Sequence, residues 1–302
     1  RGVIVLHKAY GTRDGKSMTT RTKSWMASIT KLLSGSLMMM LVDQGLVDLD
    51  DPIDKHLPAF RGIEVARAMT VRDLYTHTNG LWGHWGDDMH DFEEVIAAYY
   101  PHLRIGVRHA YNGAGYALGG KIIEMRTGEA IPKFYRKHLL GPLQCANTDV
   151  NDTSGGSMSV PMDMARIGQM LLNRGAYGEH RFFSDATFEK MLPVPLVGLQ
   201  GGPKTWGIGV RWKSDGGIPS EVLSNKAFGH GAASAATLAI DPAHDLVIVM
   251  TRNKAGRNFA KHRPQFILAV INGILPEEQV RGERSGSAKV RVRPPSPPAS
   301  DL

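Results

Sequence analysis

One stretch limits what this chain can fold into more than any other. It runs Ala27-Ser28-Ile29-Thr30-Lys31-Leu32-Leu33, then on through Ser34, Leu37, Met38, Met39, Met40, Leu41 and Val42 to Gly45. A polar start, an apolar body and a glycine stop predict a core helix. Ser28 falls at or just before the first turn, and Lys31, three residues on, shares its face. Free backbone N–H groups and the positive end of the helix dipole lie beside a hydroxyl so placed. A lysine within reach can take or relay the hydroxyl proton, provided burial or another cation lowers its own hold on a proton. Ser28 and Lys31 are therefore candidates for an activated nucleophile and its proton relay. Taken alone, Ser-x-x-Lys is far more often a serine N-cap followed by a chance lysine.

Composition narrows the classes. A chain of 302 residues, 42% hydrophobic and 22% charged, can bury a sizeable core in one large domain or two interleaved ones. The best apolar run, Leu37 to Val42, is far too short to span a bilayer, so no transmembrane segment is expected. The net charge of +7 is scattered apart from a modest cluster between Arg281 and Arg293. No basic-aromatic motif accompanies it, which argues against a nucleic-acid partner. Cys145 is the only cysteine, so neither an intrachain disulfide nor a cysteine metal site is available. Its apolar setting, Gly141-Pro142-Leu143-Gln144-Cys145, suits a packed thiol. The chain opens at Arg1 without a readable leader, which leaves the compartment unassigned.

Taken in order, Val3-Ile4-Val5-Leu6-His7 predicts a strand. Helices are expected after Pro52, over Met69–Leu81 with a stop at Asn79-Gly80, over Phe92–Tyr100, after Gly115, over Ile131–Leu139, Pro161–Leu172 and Ser184–Met191. Strands are expected over Trp206–Trp212, Ala235–Ile240 and Leu246–Thr251, the last two joined by a turn at Asp241–Asp245, and a closing helix over Phe266–Leu275. The fold class is thus α+β: an antiparallel β-sheet flanked by helices, with an inserted, mainly helical lobe. Residues 1–27 with 205–275 would form the sheet lobe and 28–204 the helical lobe, placing Ser28 where the two meet. The Pro-, Arg- and Ser-rich tail, 276–302, cannot order itself by burial.

Two further clusters could face Ser28. Tyr111 precedes a Gly-rich bend, and a phenol beside an ammonium can have a depressed pKa and act as general base; a packed core tyrosine is the plainer alternative. Phe228-Gly229-His230-Gly231-Ala232-Ala233-Ser234 leads into a strand with small residues that let a substrate approach backbone N–H groups; a simple turn is the plainer alternative. The His- and Asp-rich segment Trp82–His90 lies on one loop, without the rigid convergent frame a metal needs. A polar loop bordering a cleft is expected there, and no metal.

Together these pieces resemble the serine β-lactamase and penicillin-binding-protein family, in its class C, esterase and D-Ala-D-Ala carboxypeptidase branch. Besides Ala27–Lys31, the matching segments are Gly45–Pro52, Leu74-Tyr75-Thr76-His77-Thr78-Asn79-Gly80-Leu81, Tyr111 with Gly115-Tyr116-Ala117-Leu118-Gly119, Gly155-Gly156, and Phe228–Gly231. The resemblance implies a β-lactamase/transpeptidase-like fold and an acyl-enzyme on Ser28. It implies proton relay by Lys31, a general base in Tyr111, substrate contacts from Asn112, His230, Gly231 and Ala233, and an oxyanion hole from the N–H groups of Ser28 and Ala233. No metal and no organic cofactor are implied; the partner is a small ester, amide or peptide-like substrate. This chain departs from the family pattern in carrying Gly113 where an Asn is usual, Ala232 at a position often glycine, and His230 in place of a permanently charged lysine. Val3–His7 resembles the family's second strand, with the usual first helix and strand not found before it: either the natural chain is longer, or the sheet is short of an element beside the closing helix. The function expected is a serine hydrolase, with short esters ahead of D-amino-acid peptides and β-lactams. The alternative is a weakly active or non-catalytic relative that binds a peptide-like ligand or a partner.

Overall fold

A computed structural model describes residues 2–82, 92–215, 218, 222–252, 254 and 256–273. The polar loop expected over Trp82–His90, from residue 83 on, and the tail 276–302 lie outside the described residues.

Helix α1 (Thr30–Asp43) is the axis of the molecule, and every residue from Thr30 to Val42 is buried. A helix sealed on all sides needs apolar residues on all sides, which accounts for the unbroken Leu37–Val42 run. Its buried hydroxyls are satisfied internally: Ser36 Oγ donates to Leu32 O at 2.9 Å and Ser34 Oγ to Thr153 O at 2.7 Å. Gly45 follows with φ +68°, the expected stop.

Around α1 stand α2 (Val71–Thr76), α3 (Phe92–Tyr99), α4 (Ala114–Thr127), α5 (Ile131–Tyr135), α6 (Pro161–Leu172) and α7 (Asp185–Met191). Thr70 and Asp73 form a reciprocal capping box at the start of α2. That helix ends at His77 in the left-handed conformation (φ 59°), before the Asn79-Gly80 pair that predicted its stop. Asn79 instead accepts the N–H of Leu81 at 2.9 Å.

Short ribbons pair β1 (Thr12–Arg13) with β2 (Lys16–Ser17), β3 (Ser24–Trp25) with β4 (Met158–Ser159), β5 (Ala176–Tyr177) with β6 (His180–Arg181), and β7 (Val194–Pro195) with β8 (Thr205–Trp206). The four-stranded antiparallel sheet joins β9 (Arg211–Trp212), β10 (Phe228–Gly231), β11 (Thr237–Asp241) and β12 (Leu246–Met250) in spatial order β12-β11-β10-β9. Helix α6 packs on one face and α8 (Phe259–Asn272) closes the other through Ile267 with Ala239, Leu246 and Ile248.

Two expectations about strands change. Val3–Leu6 forms no strand; the four side chains stay 46–70% exposed, with no sheet edge paired to them among the described residues. Strand propensity needs a partner edge to become structure. The continuous strand over Trp206–Trp212 is broken at 207–210. There Gly209 (φ +74°) lies against Lys31 O, where a Cβ would collide, and Gly35 of α1 gives the same clearance to Ile208 O. That close approach wedges the 207–210 loop against the first turn of α1. One apolar cluster runs from Met26 and α1 through α2, α4 and α6 to Phe228, Leu238 and Ile240, so helical block and sheet share a core.

Candidate active site

Ser28 sits in the single 3₁₀ turn Ala27–Ile29 that feeds α1, and this turn packs against β10. Ala27, immediately before it, has φ +44°, an uncommon conformation for a residue with a Cβ. Strain of this kind persists only where neighbours enforce it. Met26 N–H donates to Ser157 O at 2.8 Å, Thr30 Oγ1 donates to Ala27 O at 2.7 Å, and Ser157 N–H donates to Thr30 Oγ1 at 3.0 Å. These bonds fix both flanks of Ser28, which is half-buried and open on one side.

Lys31 is buried, with Nζ donating to Ser154 O at 2.8 Å. The same ammonium lies over the rings of Tyr111, 4.9 Å from the centroid, and Tyr116, 5.3 Å away. Tyr111 is 45% exposed, and the Ser28 side chain is in polar contact with its phenol. The expected depression of the phenol does not occur. Burial raises it above the usual 10.0, while the Ser28 contact and the charge of Arg211 oppose that rise without overcoming it.

His230, on β10, is buried and points into the same cluster, its ring 6.4 Å from that of Tyr111. Its Nδ1–H donates to Gly231 O at 2.6 Å. Burial pushes its pKa down to about 3, and the cations of Lys31, Lys213 and Arg211 add to the effect, so the imidazole is neutral. Gly231 ends β10, and Ala233 follows two residues later, exposed at the same end of the strand.

Asn112 is not part of this opening. It is buried, its Nδ2 donates to Ala110 O at 2.7 Å and to Asn79 Oδ1 at 3.2 Å, and its Oδ1 accepts the Gly115 N–H at 2.9 Å. That last bond caps the start of α4, so the amide expected to touch substrate is used within the fold. Gly113, at the start of α4, carries no amide to replace it.

Sequence reasoning passed over His77, His109, Trp206 and Arg211. His77 and Trp206 have ring centroids 5.1 Å apart, His109 and Trp206 4.9 Å, and the Arg211 guanidinium lies 5.3 Å from the Trp206 ring. His77 lay inside the Leu74–Leu81 segment already singled out for its resemblance; the others had no local signal. Among the described residues no group of three or more His, Cys, Asp and Glu side chains converges to hold a metal, and no helix is long and apolar enough to cross a membrane. Cys145 is buried, and burial pushes its thiol up to about 12, as suits a packed side chain.

Comparison with known proteins adds an independent line. The sequence matches the Beta-lactamase family over residues 1–271. Penicillin-binding protein 4 of Amycolatopsis lactamdurans is 32% identical over 183 residues, covering 58% of this chain and 45% of that protein. A teichoic acid D-alanine hydrolase of Staphylococcus aureus is 26% identical over 160 residues, covering 50% of this chain and 39% of that protein. The chain therefore spans less than half the length of these curated relatives. An octameric penicillin-binding protein homologue from Pyrococcus abyssi superposes with a TM-score of 0.64 at 24% identity, over 89% of this chain and 71% of that one. The α+β, β-lactamase/transpeptidase-like fold expected from the motifs is the fold found. A match over residues 1–271, on that fold, places the chain in the Beta-lactamase family.

Proposed function

We propose that this protein is a serine hydrolase that cleaves small esters through an acyl-enzyme on Ser28, with D-amino-acid peptides as second and β-lactams as third substrate class. The observation that carries the proposal is the solvent-reached contact of Ser28 with Tyr111, beneath the Lys31 ammonium. Ser28 Oγ attacks the carbonyl carbon, and its proton passes to the Tyr111–Lys31 pair. The oxyanion is received by the backbone N–H groups of Ser28 and Ala233. The pair then returns the proton to the leaving alkoxide as the C–O bond breaks. Water repeats the attack on the acyl group, releasing the acid and restoring Ser28. His230 and Gly231 line the substrate side. A neutral imidazole at position 230 favours neutral esters over carboxylate-bearing penicillins, and an ester tolerates the missing amide of Gly113 better than a peptide does.

The alternative, a binding protein without turnover, draws on the same absence at Gly113. Intact-mass spectrometry after incubation with a fluorophosphonate, and separately with a penicillin, tests both. A single adduct on the wild type that is lost in Ser28→Ala is the expected result. A folded wild type that takes up neither reagent would overturn the hydrolase.

A further inference from the structure

We infer that His77 is the positioning residue of Tyr111. This inference rests on the hydrolase reading above for its consequence, though not for its geometry. The two peptide N–H groups flanking Tyr111 are both tied to this one residue. Ala110 N–H donates to His77 O at 2.9 Å, and Asn112 N–H donates to His77 Nδ1 at 3.2 Å. Between these bonds the imidazole packs on the phenol ring itself, with centroids 4.4 Å apart. Backbone on both sides and side chain in the middle are thus held by one residue 34 positions earlier in the sequence, by the difference of the two residue numbers.

His77 is itself firmly placed. It closes α2 in the left-handed conformation, and its N–H donates to Asp73 O. Thr78 reinforces the bend through N–H to Asp73 O at 3.1 Å and Oγ1 to Asp73 Oδ1 at 2.6 Å. The ring is completely buried among Tyr111, Tyr116, His109 and Trp206. Because Nδ1 accepts a hydrogen bond, the single ring proton resides on Nε2, and the clamp works only while the imidazole is neutral. A second proton would set donor against donor at Asn112. The charged or titratable groups facing the ring are Lys31 from α1, His109 and Tyr111 from the loop before α4, Tyr116 from α4 and His230 from β10. The cationic Lys31 opposes that second proton, as does burial.

Asparagine offers the means to separate acceptor from fold. Its Oδ1 stands where His Nδ1 does, and it tolerates the left-handed conformation. His77→Leu keeps bulk but removes the acceptor. For the leucine variant we expect kcat on a p-nitrophenyl ester to fall by about 10- to 100-fold, with KM little changed, because the base is misplaced and the substrate is not. His77→Asn should recover most of that loss. In a Tyr111→Phe background His77→Leu should cost almost nothing further, since its effect runs through the missing hydroxyl. Equal impairment of the Asn and Leu variants, or an undiminished loss in the Tyr111→Phe background, would overturn the inference. A readout free of turnover separates it from the hydrolase proposal. Ultraviolet titration of the wild type against Tyr111→Phe isolates the Tyr111 ionisation, which should lie above 10.0 and drop towards it in His77→Leu. An unmoved ionisation would count against His77 even in a protein that hydrolyses nothing. Should the leucine variant fail to fold, the same titration on His77→Asn decides: an Asn variant whose phenol ionises as in the wild type supports the acceptor's role, and one shifted fully to the ordinary value removes it.

Discussion

The ammonium of Lys31 lies over the ring of Tyr111, 4.9 Å from its centroid. A cation so placed is attracted by the ring's negative face whether or not the phenol is ionised. Burial meanwhile raises the phenol above its usual value. The base form of Tyr111 is therefore scarce at neutral pH and grows as the solution becomes more alkaline. We expect kcat/KM for a neutral ester to climb with pH on the alkaline side, with apparent values belonging to the Tyr111–Lys31 pair. Tyr111→Phe should abolish the climb and cost about 100-fold or more in rate. A flat profile in the wild type would remove Tyr111 from the base role.

Charge at position 230 should control the choice of substrate. The neutral, buried imidazole offers no permanent cation to a carboxylate. His230→Lys should speed acylation of Ser28 by a penicillin about tenfold or more, the worth of one charge-assisted hydrogen bond, while leaving a neutral ester unimproved. Time-resolved intact mass measures both rates. Equal effects on the two substrates would show that position 230 does not meet the carboxylate.

Gly209 tests how closely the 207–210 loop must approach α1. Its φ of +74° and the proximity of Lys31 O leave no room for a Cβ. Gly209→Ala should lose about 1–2 kcal/mol from conformation alone. Displacement of the Lys31 backbone should lower kcat by about tenfold or more. Thermal melts and steady-state kinetics on the same sample separate the two losses. A stable variant with full kcat would show that Lys31 tolerates the shift.

Lys213 should make stability depend on pH. It is buried, its Nζ donates to Leu238 O at 3.3 Å, and burial, with the charges of Arg263 and Arg211, lowers its pKa from 10.5 to about 7. Between those two values the unfolded chain binds the proton and the folded chain does not, so this residue makes stability rise with pH across the window. Below about 7 both states are protonated and the penalty is constant. Lys213→Met should therefore stabilise the protein at mildly acid pH by on the order of a few kcal/mol, and the gain should shrink as pH climbs towards 10.5. Urea unfolding of both proteins at several pH values reads this directly. A gain independent of pH would mean that packing, not charge, is responsible.

What the sequence made legible was local. Ser28 and Lys31 are three residues apart, so the short turn Ala27–Ile29 and the first turn of α1 that it feeds place both. Thr70 with Asp73, and Pro161 at the head of α6, state their helix starts in their own chemistry. The alternation from Ala235 on announced the strand Thr237–Asp241, but Phe228–Gly231 read only as the approach to it and is a strand in its own right. What stayed hidden depended on distant partners. The acceptor for Lys31 is a backbone carbonyl, at Ser154, and a carbonyl carries no residue identity to read. The inward turn of Asn112 depends on Asn79 and on the start of α4. His77 ends its helix early because it takes the left-handed conformation itself, which no neighbouring glycine could announce. Val3–Leu6 has strand composition but no paired edge among the described residues, and the edge is what composition cannot supply.

The stitching of α1 to residues 153–157, through Lys31, Ser34, Thr30 and Met26, has a consequence for synthesis. On the ribosome α1, with Ser28 just ahead of it, emerges long before its anchoring strip, which follows more than 100 positions later, the separation of Lys31 from Ser154 being 123. Closing so long a loop is slow, and it must come before Lys31 is seated. A nascent chain that has not yet exposed residues 153–157 carries the serine and the lysine without the strip that seats them. The seating of Lys31 is withheld until most of the core exists to contain it.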